Sequence, residues 1–400
     1  MISFPRLLYI GDVAIQSSLH GSLLLYRLLQ GYPPEKVCIV ESCAYPSKPE
    51  RQLPGVRYES LAGEVERRLE PRLLRSRLSK FFSAMLMYTA RARLRWVEKL
   101  QQGFLPEAVL TVSHSYTWIT AARFAAKHQL PLHLICHDDW PRIANLPARS
   151  KAHLDHIFGA IYRQASSRFC VSPSMRDAYS RRYGADGDVL LPSRAADCLT
   201  YDEPPLRLRE ASTALTVAFA GSLGNVNDIH MLRSLAEILL KMGGRLLIFG
   251  PLTMAGARRV GLDGSNIQVC GLLKSDDLIR RFRNDVDVLF VSMSFDPADR
   301  PNVEISFPSK LADYTAAGLP LLIQGPDYCS AVRWAVENPG VAEVVTVNDP
   351  DAQAAALERL CVPSHRIAVA ETAIRKGNEF FSHRAAQRIF LAGLNRTKTN

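Results

Sequence analysis

The sequence predicts an α/β protein with two parallel sheets, each covered by helices. Short apolar runs of strand length alternate with helix-length segments along the 400 residues, as in sheets buried on both faces. The alternation pauses between Ser193 and Ser212, a stretch with Asp202-Glu-Pro-Pro and little apolar periodicity, and then starts afresh. A chain of this length also favours two cores over one.

In the first half the expected strands are RLLYI, KVCIV, EAVLTV, LPLHLIC and SRFCVS. In the second half they are LTVAFAG, RLLIFG, NIQVCG, VDVLFVS, LPLLIQG and VAEVVTV. Helical material follows Pro363, from about Ser364 to Leu394, and such a terminal helix is free to return to the first domain. The expected organisation is a Rossmann-like domain over 1–200, a second over 201–375, and a C-terminal helix over 376–400 crossing back. A cleft between the two domains is expected to hold the site.

Composition narrows the class. Apolar residues make up 47% and charged residues 22%, no run approaches the ~18–20 uncharged apolar residues of a membrane span, and Met1–Ile10 lacks a signal-peptide layout. A cytoplasmic protein is expected. The eight cysteines are scattered without a CxxC pair, so they read as small core residues, and no metal site or cofactor is expected. The net charge of +10 favours anionic partners without choosing among nucleotides, lipid surfaces and nucleic acid. It is concentrated between Leu61 and Leu100, where ten Lys/Arg, from Arg67 to Lys99, interleave with Leu69, Leu73, Leu78, Phe81, Met85 and Trp96. The stretch over 64–100 reads either as the solvated face of a packed helix or as a peripheral membrane contact. It lacks the motifs of a nucleic-acid reader.

Ligands of open parallel sheets bind beyond the carboxyl ends of the strands, so the strand-to-helix corners carry the chemistry. The first corner runs from Ile10 through Gly11 and Asp12 to Gly21, and its glycines allow close backbone approach without marking a dinucleotide site. The second is His137-Asp138-Asp139-Trp140 after LPLHLIC, where a histidine can bond a hydroxyl and Asp138 or Asp139 can act as acid or base. The third, Phe219-Ala220-Gly221-Ser222-Leu223-Gly224-Asn225-Val226-Asn227-Asp228, offers backbone N–H groups to a diphosphate but is not a Walker loop. The fourth is FPSKLADYTAAGLPLL: Pro308-Ser309 fits a helix start, Ser309 and the N–H groups of Lys310 and Leu311 could hold phosphate oxygens, and Asp313 could accept from two ribose hydroxyls. Each corner also has a plain structural reading as a turn or a cap.

Taken in order, AFAGSLGNVND, RLLIFGP, NIQVCGLLKSDDLIRRFRNDVDVLFVS and FPSKLADYTAAGLPLL, with SRFCVSPSMRDAYSRRYG closing the first half, resemble the retaining, family-4-type glycosyltransferases of the GT-B fold. The resemblance spans Arg6 to about Leu360. It implies a retaining sugar transfer from a nucleotide diphosphate sugar, a co-substrate, to an acceptor bound mainly by the first domain, around Gly11, Asp12 and Gly21. It places Asp313 on the donor ribose, five positions before Gly318, and the diphosphate on Ser309, Lys310, Leu311 and the corner Gly221, Ser222, Gly224, Asn225. His137 would lie against the donor sugar, with Asp138 nearby, and Gly250, Pro251 and Leu272 would touch the base. Three features depart from the family pattern, the first being that the ribose carboxylate, Asp313, is Asp rather than the commoner Glu. The position eight before Asp313 is Ile305, with Glu304 standing in for the usual glutamate one residue early, and Ser222, Asn225 and Asn227 follow the glycine corner in place of Arg and Lys. The expected acceptor is lipid-linked or an anionic glycan, in surface-polysaccharide assembly. A degenerate nucleotide-sugar-binding scaffold and a nucleotide-sugar epimerase are the alternatives.

Overall fold

A computed structural model describes residues 4–17, 23–42, 46–61, 76–212, 214–223 and 226–396. The chain divides into two compact units. One takes the residues through Leu191 together with those from Ala386 on, and the other runs from Pro192 to Ala385.

The first unit holds a seven-stranded sheet in the order β3-β2-β1-β4-β5-β6-β7, every neighbouring pair parallel. Its strands are β1 (Leu7–Gly11), β2 (Val37–Glu41), β3 (Arg57–Ser60), β4 (Ala108–Val112), β5 (Leu132–Cys136), β6 (Ser167–Cys170) and β7 (Asp188–Val189). Every residue of β1, β2, β4 and β5 is buried, which is why these strands read as continuous apolar runs. The edge strands β3 and β7 escape that reading. RYES is half exposed, β7 has two residues, and neither carries an apolar run.

The helix His383–Leu394 lays Phe390, Leu391 and Leu394 into the core formed by Leu7, Tyr9, Ile39 and Leu110, with Phe390 against Phe169 at 5.6 Å between ring centroids. Gly393 stands where a Cβ would meet the Phe169 ring at 2.4 Å, so the close approach requires glycine. Gln387 donates to the Leu28 carbonyl, and Arg396 grips Asp188 through two bonds of 2.6 and 2.8 Å.

The second unit has a six-stranded parallel sheet, β10-β9-β8-β11-β12-β13. Its members are β8 (Thr216–Ala220), β9 (Arg245–Phe249), β10 (Ile267–Gly271), β11 (Val288–Ser292), β12 (Leu321–Gln324) and β13 (Glu343–Val345), one for each strand expected from the second half. The stretch Ser193–Ser212, which reads as a linker, packs on this unit. Arg194 donates to the Ala312 carbonyl at 3.0 Å, Thr315 Oγ1 at 3.0 Å and Asn378 Oδ1 at 2.5 Å, while Arg366 donates to the carbonyls of Leu208 and Glu210. Polar bonds from buried arginines hold it, so it shows no apolar periodicity.

Both sheets reverse direction beside their first strand, between β1 and β4 and between β8 and β11. Such switch points open a crevice at the carboxyl ends of the strands. Among the described residues, no helix is long and apolar enough to cross a membrane.

Candidate functional site

In the second unit, turns from three neighbouring strands converge. Gly221 follows β8 with its N–H bonded to the Phe249 carbonyl, and Gly250 follows β9 with its N–H bonded to the Gly271 carbonyl, both at 2.9 Å. Gly250 has φ 145°, and a Cβ there would lie 2.2 Å from the Gly221 oxygen. Only glycine permits this contact. Pro251 is exposed beyond that turn, and Leu272, 45% exposed, stands beyond β10. Ser222 is exposed beside Gly221, whereas Gly224 and Asn225 lie outside the described residues.

The helix Lys310–Ala316 closes on this corner from the other side of the switch point. The Ala220 N–H donates to the Tyr314 hydroxyl at 2.6 Å, fixing the end of β8 to the helix. One turn earlier, Lys310 lays its Nζ over the Phe219 ring, 4.0 Å from the centroid. The same Nζ is 3.5 Å from where a Cβ on Gly221 would sit, so the ammonium faces the glycine turn. Burial lowers its pKa to about 8, with the Asp228 charge acting in the opposite direction. Asp228, in the first turn of the helix Val226–Lys241, accepts from Ser292 Oγ at 2.6 Å across the switch point. Burial raises the Asp228 pKa, against the Ser292 bond and the Lys310 charge.

The helix start itself departs from the expectation in two respects. Ser309 makes no side-chain cap, because its backbone is already helical. Leu311 donates its N–H to the Pro308 carbonyl at 3.2 Å in a tight first turn, which engages the N–H expected to hold phosphate. The half-buried Asp313 lies on the following turn, and the helix ends at Gly318, whose φ of 70° suits the reversal into β12. Glu304 is faced by two arginines, Arg300 at 3.3 Å and Arg333 at 3.8 Å, while Ile305 is buried.

In the first unit, Gly11 ends β1 and the next residue, Asp12, bridges its switch point. The Asp12 carboxylate accepts from the N–H groups of Tyr116 and Thr117 and from Thr117 Oγ1 at 2.6–2.9 Å, which caps the helix Thr117–Lys127. The Asp12 side chain therefore holds the loop after β4. Gly21 lies outside the described residues.

His137 follows β5, and its Nε2 is buried without a partner among the described residues. Desolvation, reinforced by His114 and opposed by Asp138, lowers its pKa to about 4, so the ring is neutral at physiological pH. Asp138 is half-buried, and its carbonyl accepts from the Trp140 N–H at 2.7 Å. Asp139, the alternative acid or base, is instead structural. Fully buried, it takes Arg182 at 2.8 Å and the Tyr179 hydroxyl at 3.2 Å beneath an aromatic cluster of Phe158, Tyr162, Tyr179 and Tyr183. Both oxygens of the Asp139 carboxylate are engaged by the Arg182 guanidinium.

No protein-family model matches the sequence, and no curated protein matches it. Solved structures do. HepE from Anabaena, in complex with UDP and glucose, superposes with TM-score 0.65 at 12% identity, over 98% of this chain and 100% of that one. The architecture is GT-B. Within this GT-B group, the lipopolysaccharide outer core galactosyltransferase WaaB matches at TM-score 0.62 and 14% identity over 97% of this chain and 98% of its own. An α,α-trehalose 6-phosphate synthase from Burkholderia multivorans matches at TM-score 0.61 and 16% identity over 98% of each chain.

The sequence pattern puts Lys310, Gly221, Gly250 and Asp313 on converging elements of the second unit but does not reveal Ser292 or the parts that Phe219 and Asp228 play. In the first unit it misses His114 and Tyr116, and their packing on Trp140. The cue there was local: VSHSYTW is a polar, aromatic corner directly after the buried strand β4.

Proposed function

We propose that this GT-B protein is a glycosyltransferase that moves a sugar, with retention, from a nucleotide diphosphate sugar to an acceptor held mainly by its first unit. The observation that carries the reading is Lys310 Nζ against the Gly221 turn, which supplies a cation where the glycine corner has none of its own. In the reaction the bond from the sugar C1 to the diphosphate oxygen breaks, and negative charge gathers on the departing diphosphate. The Lys310 ammonium is positioned to stabilise that charge, and the acceptor hydroxyl attacks the same face while its proton passes to a diphosphate oxygen. His137 would orient the donor sugar through its backbone carbonyl, and Asp313 would hold the ribose. The donor is a co-substrate, and no further cofactor enters the scheme.

Calorimetric titration with UDP-, GDP-, ADP- and dTDP-sugars, followed by product analysis with and without acceptor, tests this reading. Asp313→Ala should weaken the preferred nucleotide about 10- to 100-fold, the loss of one or two hydrogen bonds to a charged group. Unchanged affinity would remove the ribose role. Binding without turnover favours the alternative of a degenerate nucleotide-sugar-binding scaffold, which Ile305 in place of the family's glutamate supports. Conversion of donor alone would indicate an epimerase.

The acceptor on this reading is lipid-linked or an anionic glycan, in surface-polysaccharide synthesis at the inner face of the membrane. The support is a stripe at helical spacing, Leu78, Phe81, Met85 and Tyr88, exposed by 62, 72, 43 and 56% along and beside the helix Ser79–Thr89. Exposed Arg77, Lys80, Arg91, Arg95 and Lys99 accompany it, with Trp96 60% exposed. Apolar side chains ringed by cations suit an anionic lipid surface. The remainder of the basic stretch, 62–75, lies outside the described residues. Co-sedimentation with phosphatidylglycerol vesicles at low salt is expected, and protein left in the supernatant would sink the contact.

A further inference from the structure

The corner at the carboxyl ends of β4 and β5 carries two aromatic side chains that the transfer scheme leaves unused. His114 is exposed and stacks on the half-buried Trp140 with ring centroids 4.7 Å apart and planes tilted by 42°. Tyr116 meets the same indole edge-on at 6.0 Å. Trp140 Nε1 and His137 Nε2 are both buried with no hydrogen-bond partner among the described residues. Two such orphans in one corner are unusual, because each unsatisfied buried group costs about 1–3 kcal/mol.

The backbone here is held against strain. Ser115 has φ 51°, a left-handed conformation costing about 1–3 kcal/mol in a non-glycine residue. Its carbonyl is tied by Trp118 Nε1 at 2.8 Å, and the next two N–H groups are tied by Asp12. The loop that presents His114 is thus preorganised from below.

We propose that His114, Trp140 and the Nε2 edge of His137 form a subsite for a pyranose ring, and that the ring is the acceptor's sugar. This rests on the glycosyltransferase reading for the word acceptor, though not for the ring. A pyranose has an apolar C–H face that packs on tilted aromatic rings and a rim of hydroxyls. A hydroxyl both donates and accepts, so it satisfies neutral His137 in either tautomer, and a second hydroxyl accepts from the Trp140 indole N–H. A phosphate or carboxylate matches the His137 edge less well, because that ring is neutral.

Saturation-transfer NMR with methyl glycosides of glucose, galactose, mannose and N-acetylglucosamine, in the presence of UDP, tests the subsite. At least one glycoside should show ring-proton saturation, reduced fivefold or more in Trp140→Ala and in His114→Ala, while UDP affinity measured by calorimetry stays within twofold. His114 is exposed, so its variant decides the matter if Trp140→Ala does not fold. Absence of saturation with every glycoside, or saturation unchanged in the variants, overturns the subsite. Displacement of the glycoside by UDP-glucose but not by UDP overturns its assignment to the acceptor. Glycoside saturation that depends on Trp140 in a protein that binds no nucleotide would uphold the subsite and refute the donor reading, so the two fail separately.

Discussion

The Lys310 ammonium lies 4.0 Å from the centre of the Phe219 ring, on the strand that delivers the Gly221 turn. One residue of a short helix thereby supplies the positive charge of a corner built by other strands. The aromatic face and the Asp228 charge favour the ammonium, yet burial outweighs them and brings its pKa down to about 8.

A pH dependence follows from that balance. An anion bound beside Lys310 favours its protonated form, so diphosphate affinity should hold below pH 8 and fall as pH rises above it, with a proton taken up on binding near and above pH 8. Lys310→Met should weaken UDP about 10- to 100-fold and flatten the profile. Calorimetry in buffers of different ionisation enthalpy measures both. For the free protein the sign is opposite: the folded state holds Lys310 below its ordinary pKa, so its destabilising effect is full below pH 8 and is relieved as pH rises towards the ordinary lysine value.

Gly250→Ala should destabilise the second unit by about 2–3 kcal/mol, since the added Cβ meets the Gly221 oxygen at 2.2 Å and φ 145° is foreign to alanine. Urea unfolding would show it as a lower midpoint with an unchanged slope. UDP affinity should fall as well, because the two turns move together.

Asp139→Ala should destabilise the first unit by about 3–5 kcal/mol, because it strands the largely buried Arg182 guanidinium. Asp139→Leu combined with Arg182→Met should recover most of that loss. Unfolding of the three proteins in urea measures the coupling, and a mild effect of Asp139→Ala alone would return Asp139 to the list of proton carriers.

Eleven strands were legible because their apolar runs record burial on both faces, and β3 and β7 were not because edge strands carry no such record. Gly318 and Gly250 were visible as turn residues, yet why Gly250 must be glycine depends on the Gly221 backbone, 29 positions away. The Pro-Ser helix start misled for a local reason: a tight first turn engages the Leu311 N–H, a choice of hydrogen-bond register that composition does not reveal.

Local pattern in the sequence determined the alternation of strands and helices, the pause between two cores and the corners where polar residues follow buried strands. Those features depend on nearest neighbours and on solvent, which periodicity encodes. The tertiary structure alone decided which corners meet: Lys310 with Phe219, Asp228 with Ser292, Asp12 with the loop after β4, and Asp139 with Arg182 rather than with a substrate. Each of these contacts arises from strand order, because a parallel sheet that reverses beside its first strand brings distant segments to one edge, where charge and hydrogen-bond partners outweigh sequence proximity.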